Sequence, residues 1–304
     1  MTDEETHRTR VDRSRSSPGL PARVASGDGG PPLRRTGHLR RDGAPLLLAD
    51  AARNNLPLAI LQTLQDQPEV YPVFHLWMAV DDGEPRGLAL QTEPYNVLLA
   101  EPLQGDAVDA GPLPGITANL PWADRFAARV TLMTGRKAER ILTEGVWELT
   151  TVADVPTPGG AARLATPGDR DLLRRWLRAF LDEALPQGRP RDDAHTDLDI
   201  DLRLAERGGA YWLWDDGSPV ALAGHRDVPG VGSRIGPVYT PPERRRRGYA
   251  TRLVAELSAA RLALGDPACF LFTDMANPTS NSVYARIGYV KVCEAVENVF
   301  HAAP

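Results

Sequence analysis

A run of four arginines and a glycine lies between an apolar stretch and a segment whose apolar residues have helical spacing. The apolar stretch, residues 235–240, is predicted to be a strand, and the helix is predicted to begin near Tyr249. The first turn of a helix presents unpaired N–H groups and a partial positive charge. Arg245, Arg246 and Arg247 add guanidinium groups, whose geometry suits phosphate. We therefore predict that this stretch binds the phosphate groups of a cofactor.

The spacing of this stretch differs from that of two common phosphate-binding motifs. The P-loop requires a Gly-Lys-Ser/Thr sequence, and the Rossmann turn requires glycines spaced G-x-G-x-x-G. Residues 245–250, Arg-Arg-Arg-Gly-Tyr-Ala, instead resemble the pyrophosphate loop Q/R-x-x-G-x-G/A of the GNAT superfamily of acyl-CoA-dependent N-acetyltransferases. Arginines before a glycine also occur in solvated basic turns, so the downstream sequence has to decide between the two interpretations.

A second motif follows about thirty residues later. Residues 268–273 are typical of a short buried strand, and Asn277 or Thr279 is predicted to cap a helix that ends at Gly288. This segment resembles the GNAT pattern N-x-x-A-x-x-L-Y-x-x-x-G-F/Y, with Ser280 in place of the alanine and Tyr284 as the tyrosine. The two motifs occur in the family's order, which supports the resemblance over a solvated basic turn. The resemblance covers residues 161–300, about half of the chain.

The resemblance implies an α/β fold (an α+β mixed sheet) that binds acetyl-CoA as a co-substrate. It implies that the strand at 235–240 splays from the strand at 268–273 and offers backbone groups to the pantetheine and the thioester. The residues implied to bind acetyl-CoA are Val238, Tyr239, Thr240, Arg245, Arg246, Arg247, Gly248, Tyr249, Ala250, Thr251, Asn277 and Ser280. Tyr284 is implied to be the general acid that protonates the CoA thiolate, although an aromatic residue on a helix face is also a common core residue.

The general base is left open by the sequence. Deprotonating a lysine-type amine of pKa about 10.4 at pH 7 costs roughly 4–5 kcal/mol, whereas an α-amine near pKa 8 costs only about 1–2 kcal/mol. His225 and Asp274 are candidates because each lies at the end of a strand-like run. The segment that shapes the acceptor site in GNAT enzymes also offers Asp192, Asp193, His195 and Asp197. For these four, helix capping and solvation are the favoured interpretation.

The first part of the chain contains an echo of the second. Residues 78–85, MAVDDGEP, correspond to residues 212–219, WLWDDGSP, and both patterns predict a strand entering an Asp-Asp-Gly hairpin turn. A second echo relates residues 127–135 to residues 259–265. We therefore predict tandem GNAT folds, a degenerate copy at 42–155 and an acetyl-CoA-binding copy at 161–304, joined by a linker at 156–160. The first copy is considered degenerate because Gly115-Ile116-Thr117-Ala118-Asn119 stands where the arginine loop is expected.

Further elements are predicted within the two halves. In the first half, helices are predicted at 57–64 and 122–133, and strands at 72–80, 87–91 and 96–99. In the second half, helices are predicted from 166 to 180 and from 198 to 207, with a pair of closing strands after Tyr289. The first half is expected to pack on the second and to form a wall of the substrate site.

Composition excludes several classes of protein. A net charge of −5 favours neither nucleic acid nor an anionic membrane as a partner, and 304 residues with 42% hydrophobic content suffice for two domains. Residues 1–41 are polar and rich in Arg, Ser, Pro and Gly, so a disordered tail is predicted. The sequence lacks an apolar run of about 18 residues and a signal-type segment, which predicts a soluble, cytoplasmic protein. Cys269 and Cys293 are predicted to be buried, reduced thiols, and no metal is expected.

The functional hypothesis is an acetyl-CoA-dependent N-acetyltransferase that acts on a primary amine of a small molecule or of a peptide or protein. The alternative is a catalytically silent acyl-CoA-binding module with a regulatory or interaction role. The acceptor, the length of the acyl group, the role of the first half and the oligomeric state are left open by the sequence.

Overall fold

The computed structural model describes residues 22–27, 44–81, 84–100, 113–184 and 192–302. These residues form one mixed sheet of twelve strands, which carries helices on both of its faces. No helix in this part of the chain is both long and apolar enough to cross a membrane.

The first half contributes six strands and two long helices to the described structure. Its elements are β1 (Ala22–Gly27), a helical turn at 44–48, α1 (Asn55–Asp66), β2 (Phe74–Asp81), β3 (Glu84–Thr92), β4 (Val97–Leu99), β5 (Gly115–Asn119), α2 (Trp122–Thr134) and β6 (Lys137–Leu149). Each element predicted here is present with shifted ends, because apolar periodicity locates an element better than its termini. The predicted turn at residues 82 and 83 lies outside the described residues.

The second half contributes the remaining strands and four helices to the described structure. Its elements are β7 (Ala161–Leu164), α3 (Arg170–Ala184), α4 (Asp193–Leu204), β8 (Gly209–Asp215), β9 (Pro219–Val228), β10 (Gly232–Tyr239), α5 (Tyr249–Ala263), β11 (Cys269–Asp274), α6 (Pro278–Ile287) and β12 (Val290–His301). Helix α4 begins at Asp193, earlier than the predicted residue 198. The Asp192 carboxylate accepts a hydrogen bond from the His195 N–H at 3.0 Å and so caps the helix start.

The structure differs from the predicted disordered tail at residues 22–27. Strand β1 pairs antiparallel with β2, from Ala22 opposite Ala79 to Gly27 opposite Phe74. Pairing at the edge of a sheet uses backbone hydrogen bonds, so the segment needs no apolar pattern of its own. Apart from these six residues, the predicted tail at 1–41 lies outside the described residues.

The two halves exchange their last strands. The order across the sheet is β1-β2-β3-β4-β5-β12-β6-β11-β10-β9-β8-β7, so β12 lies between two strands of the first half and β6 between two strands of the second. The pairs β5–β12, β12–β6 and β6–β11 are all antiparallel. The predicted pair of closing strands after Tyr289 is therefore wrong: β12 is a single strand, and its partners are β5 and β6.

After the exchange, the two halves have corresponding strand orders. The hairpin β2–β3 corresponds to β8–β9, and the parallel pair β4–β5 corresponds to the parallel pair β10–β11. The strands predicted from the first sequence echo are thus confirmed, while its turn at 82–83 lies outside the described residues. The second echo is wrong, because α2 follows the strand equivalent to β11 and so corresponds to α6, whereas residues 259–265 belong to the end of α5 and the turn after it.

The first-half counterpart of the arginine loop at 245–250 does not lie at 115–119, where it was predicted. Gly115–Asn119 form β5, the counterpart of β11, so they do not stand in the place of the arginine loop. The counterpart of that loop lies between β4 and β5, at 100–114. This connection is shorter than the one at 240–268, which holds the loop and α5, and most of it lies outside the described residues.

Two cores flank the sheet of the second half. One face carries α5 and α6, whose apolar residues pack with Ile235, Leu271 and Trp214. The other face carries α3 and α4, which pack on Tyr211 and Tyr239. Helix α1 of the first half also lies on this second face, where Ala59 belongs to a buried apolar cluster with Val228, Val231, Ala268 and Phe270. Both cysteines are unpaired thiols, Cys269 buried and Cys293 partly buried.

Candidate functional site

Strands β10 and β11 diverge at the centre of the second half. They pair in parallel only at Ser233 opposite Cys269 and at Arg234 opposite Phe270. The register of β10 on β9 also shifts between Ile235 and Val238, a β-bulge that bends β10 away from the ladder. The predicted splay is therefore present, and residues 236–238 are partly exposed within it.

The backbone after β10 is shaped to leave N–H groups unpaired. A 3-10 turn, Pro242–Arg244, is followed by left-handed backbone at Arg246 (φ 61°) and at Gly248 (φ 84°), the N-cap of the 15-residue helix α5. Among the described residues, no backbone carbonyl accepts a hydrogen bond from the N–H groups of residues 246–251. A Cβ at position 248 would meet open space in the free protein, so crowding does not require glycine there. The positive φ of Gly248 does, because residues with a Cβ rarely adopt it.

The three arginines of the loop have different roles. Arg245 donates from Nε to the Thr240 carbonyl at 2.8 Å and from Nη2 to the Glu183 carboxylate at 2.6 Å, which ties the loop to α3. Arg246 and Arg247 are exposed and form no ion pair with a described residue. The guanidinium groups left for a phosphate are therefore those of Arg246 and Arg247, and the Thr240 carbonyl is already engaged.

Two aromatic residues of the predicted site have their rings buried in the cores of the second half. The Tyr249 ring is buried in the core below α5, and its hydroxyl donates to Asp216 Oδ2 at 2.6 Å. The Tyr239 ring is buried on the opposite face, 6.1 Å from the Trp176 ring. Ala250 and Thr251, by contrast, lie partly exposed in the first turn of α5.

The second motif forms the start of α6. Asn277 is the N-cap, and its Oδ1 accepts a hydrogen bond from the Ser280 N–H at 3.1 Å. The cap prediction is confirmed for Asn277 instead of Thr279, and the predicted end at Gly288 is confirmed by its left-handed φ of 111°. This hydrogen bond engages Asn277 Oδ1 and the Ser280 N–H, and the Asn277 amide NH2 group and the Ser280 hydroxyl are left as donors for a ligand.

Tyr284 lies on α6 against the same core cluster as Val238. Its ring meets that of Tyr289 edge to face, with centroids 6.0 Å apart, and its hydroxyl has no hydrogen-bond partner among the described residues. Burial raises the pKa of Tyr284 to about 12. The hydroxyl is therefore protonated at neutral pH and is able to donate a hydrogen bond.

His225 is a poor candidate for a general base. It is 4% exposed, and its Nε2 lies 3.5 Å from Asp227 Oδ1. Burial above all, together with the charges of Arg261 and Arg203, lowers the pKa of His225 to about 3. A group with so low a pKa is too weak a base to hold a proton taken from an amine, so the prediction of His225 as a base is not supported.

This low pKa predicts a dependence of stability on pH. The unfolded His225 takes up a proton below about pH 6.5 and the folded one does not, so its contribution is complete above pH 6.5 and is lost as the pH falls toward 3. Between pH 7.5 and pH 5 we expect the free energy of unfolding to fall by about 2 kcal/mol more in the native protein than in His225→Asn. Denaturant unfolding of both proteins at the two pH values measures this, and parallel losses would contradict it.

The other candidate bases have structural partners. Asp274 Oδ1 accepts from the Ala276 N–H at 2.8 Å, and Asp192 caps α4. Asp193 forms an ion pair with Arg178 at 2.5 Å, and Asp197 forms one with Arg174 at 3.0 Å. The centroid of the His195 ring lies 5.6 Å from that of the Tyr71 ring. The capping interpretation is confirmed for Asp192, whereas the ion pairs of Asp193 and Asp197 were not predicted. Within the described residues, no group of three or more His, Cys, Asp and Glu could hold a metal.

Comparison with known proteins agrees with this geometry. The family model described as FR47-like protein matches residues 216–298, which contain the splayed strands, the arginine loop and α6. A tandem GNAT protein from the clavulanic acid biosynthesis pathway aligns with a TM-score of 0.58 and 13% identity over 93% of this chain and 99% of its own. The chain has the tandem GNAT fold.

Two further structures support the same fold over nearly the whole chain. A GNAT-family acetyltransferase from Colwellia psychrerythraea has a TM-score of 0.55 at 10% identity, covering 91% of this chain and 99% of its own. A GCN5-related N-acetyltransferase from Sphaerobacter thermophilus has a TM-score of 0.56 at 18% identity, covering 92% and 96%. A search of the curated proteins gave no match. At these identities the tandem GNAT likeness establishes the fold alone.

A group of charged residues on the opposite face of the sheet was not predicted. Asp199, Arg203, Arg226 and Arg234 lie between α4 and α1, close to the splay. Arg226 and Arg234 interrupt strands that are otherwise largely apolar, and a charge in a buried strand is the signal that sequence reasoning could have used.

Proposed function

We propose that the protein is an acetyl-CoA-dependent N-acetyltransferase whose site lies in the second half. The observation that carries this proposal is the row of unpaired N–H groups at 246–251, placed at the start of α5 beside the splay of β10 and β11. Unpaired helix N-termini bind phosphate. The cytoplasmic location stays a prediction.

The residues of the loop fit the pyrophosphate of CoA. Unpaired N–H groups donate to phosphate oxygens, the helix dipole adds favourable potential, and Arg246 and Arg247 add positive charge. Bound acetyl-CoA would supply an activated acyl thioester. The bulge at 236–238 would then place backbone groups of β10 beside the thioester, where an N–H group can stabilise the oxyanion that forms on amine attack.

Tyr284 has the protonation state needed to assist the departing thiolate. A hydroxyl of pKa about 12 is a weaker acid than a thiol of pKa about 8.5, so complete proton transfer to the sulfur is uphill by about 5 kcal/mol. The pKa therefore favours a hydrogen bond from the Tyr284 hydroxyl to the sulfur in the transition state. The thiolate can then take a proton from solvent or from the acceptor nitrogen, which becomes positively charged when the neutral amine adds to the thioester.

A panel of primary amines tests the proposed activity. Release of CoA from acetyl-CoA, followed with a thiol reagent, should depend on both the protein and an amine, and the acetylated amine should be visible by mass spectrometry. Binding of acetyl-CoA without transfer to any amine would contradict the enzyme and favour the silent acyl-CoA-binding module.

Tyr284→Phe isolates the contribution of the hydroxyl. The variant keeps the ring packing against Tyr289, so we expect the rate constant for acetyl transfer to fall about 10- to 100-fold while the Kd for acetyl-CoA stays nearly unchanged. Single-turnover kinetics measures the first quantity and calorimetry the second. A wild-type rate under conditions where chemistry limits would make Tyr284 a packing residue.

A further inference from the structure

Three guanidinium groups meet on the sheet face opposite α5. Arg203 comes from α4, Arg226 from β9 and Arg234 from β10. Asp199 Oδ1 accepts from Arg226 Nη2 at 2.5 Å and lies 3.2 Å from Arg203 Nε, while its Oδ2 accepts from the Tyr211 hydroxyl at 2.5 Å. We call Arg203, Arg226 and Arg234 the arginine cluster.

The arginine cluster carries more positive charge than its carboxylates balance. Asp199 pairs with two of the guanidiniums, but Arg234 has no carboxylate within ion-pair distance among the described residues. Arg234 donates from Nε to Asn55 Oδ1 at 2.8 Å, and its guanidinium lies 4.9 Å from the Phe272 ring. Even if Glu144, the acid that acts on Arg234 through space, is counted with Asp199, three positive and two negative charges leave one positive charge.

Burial makes this excess charge significant. Arg203 is 7% exposed, and burial lowers the pKa of Arg234 to about 10, so Arg234 is still charged at neutral pH. A partly buried cation without an ionic partner is unfavourable unless an anion balances it. A guanidinium is also the side-chain group that matches a carboxylate with two parallel hydrogen bonds.

The position of the arginine cluster relates it to the proposed reaction. Arg203 Nη1 donates to the carbonyl of Gly236, inside the bulge of β10, at 3.2 Å. Gly224 leaves room for this contact, because a Cβ there would lie 2.7 Å from Arg203 Nη1. Arg234 precedes Gly236 by two residues, which is about 7 Å along a strand. An anion at the arginine cluster would therefore lie a few bonds from a group that reacts at the splay.

We propose that the arginine cluster binds a carboxylate of the acceptor, so that the acceptor is a primary amine that also carries a carboxylate group a few bonds away. This inference rests on the proposed acetyltransferase function and specifies its substrate class. A single carboxylate matches the single uncompensated positive charge. The first half takes part in the site through α1, whose Asn55 orients Arg234 and whose Thr63 accepts from Arg226 Nη1 at 3.3 Å.

The same contacts would also serve a purely structural role in joining α1 to the second half. A structural role predicts that loss of a guanidinium lowers stability and affects all acceptors equally. A role in binding predicts a loss confined to acceptors that carry a carboxylate. Substrate selectivity therefore distinguishes the two roles, and a change in stability alone does not.

Matched pairs of amines test the inference on the full-length protein. The pairs are glycine and methylamine, β-alanine and ethylamine, and 4-aminobutanoate and propylamine, which differ only in the carboxylate. We expect kcat/KM to be roughly 10- to 100-fold higher for the carboxylate member of at least one pair, the range for one charged hydrogen-bonded contact. Equal values within every pair would overturn this inference and leave the proposed function standing. No transfer to any amine would overturn both.

Arg234→Gln tests the residue assignment. We expect the variant to lose most of the preference within the pair, through a higher KM for the carboxylate member, while its kinetics with the amine that lacks a carboxylate stay within about twofold. Arg234→Lys restores the charge and should recover part of the preference. If Arg234→Gln lowers both members of the pair equally, the arginine cluster is structural and the inference is wrong.

Discussion

Ala250→Glu is expected to abolish measurable binding of acetyl-CoA. Ala250 lies in the first turn of α5, among the unpaired N–H groups at 246–251, where a longer side chain would occupy the space of a phosphate. The carboxylate would also repel that phosphate at close range. Together these effects should raise the Kd for acetyl-CoA by roughly 100-fold or more, as measured by calorimetry.

A matched control separates this effect from loss of structure. Glutamate in the first turn of a helix interacts favourably with the helix dipole, so the Ala250→Glu variant should unfold at a temperature close to that of the native protein. Ala259→Glu places the same substitution at an exposed position near the other end of α5 and should leave the Kd unchanged. Normal affinity in Ala250→Glu would mean that the phosphates bind elsewhere.

Residues 156–304, expressed alone, are expected neither to fold cooperatively nor to bind acetyl-CoA. The fragment lacks β6, which pairs with β11 from Cys269 opposite Leu149 to Asp274 opposite Glu144 and with β12 along most of its length. Without β6, both strands keep unpaired backbone groups and an uncovered apolar edge. Solubility, circular dichroism and thermal unfolding of the fragment measure this.

Coexpression of residues 1–155 with residues 156–304 provides the control. If strand exchange is the cause, the two fragments should associate into a soluble complex that binds acetyl-CoA, since each supplies the strand that the other lacks. A soluble 156–304 fragment that unfolds cooperatively and binds acetyl-CoA without its partner would contradict the account of the fold.

Most individual elements could be predicted from the sequence, but strand β1 and the partners of the last strands could not. Apolar periodicity, the Asn277 cap and the Gly288 terminus are local features, and they located the helices and strands with small errors at the ends. The pairing of β12 with β6 joins residues far apart in sequence. A hairpin within one half and an exchange between halves satisfy the same local pattern, so only the tertiary structure distinguishes them.

The backbone conformation of the candidate site could be predicted from its motifs. The hydrogen-bond and ion-pair partners of its side chains could not. The arginine–glycine pattern located a loop with unpaired N–H groups, but it did not show that Arg245 would pair with Glu183. Nor did it show that the Tyr249 hydroxyl would bind Asp216. Both contacts depend on elements from other parts of the chain. The arginine cluster was missed for the same reason, since its members come from three different elements.

Calorimetry of the intact protein with acetyl-CoA tests the central claim most directly. The arginine loop occurs only in the second half of the sequence, so the titration should give one site per chain, and Ala250→Glu should remove it. Two equivalent sites per chain, or a single site that survives Ala250→Glu, would contradict the assignment of acetyl-CoA binding to the start of α5.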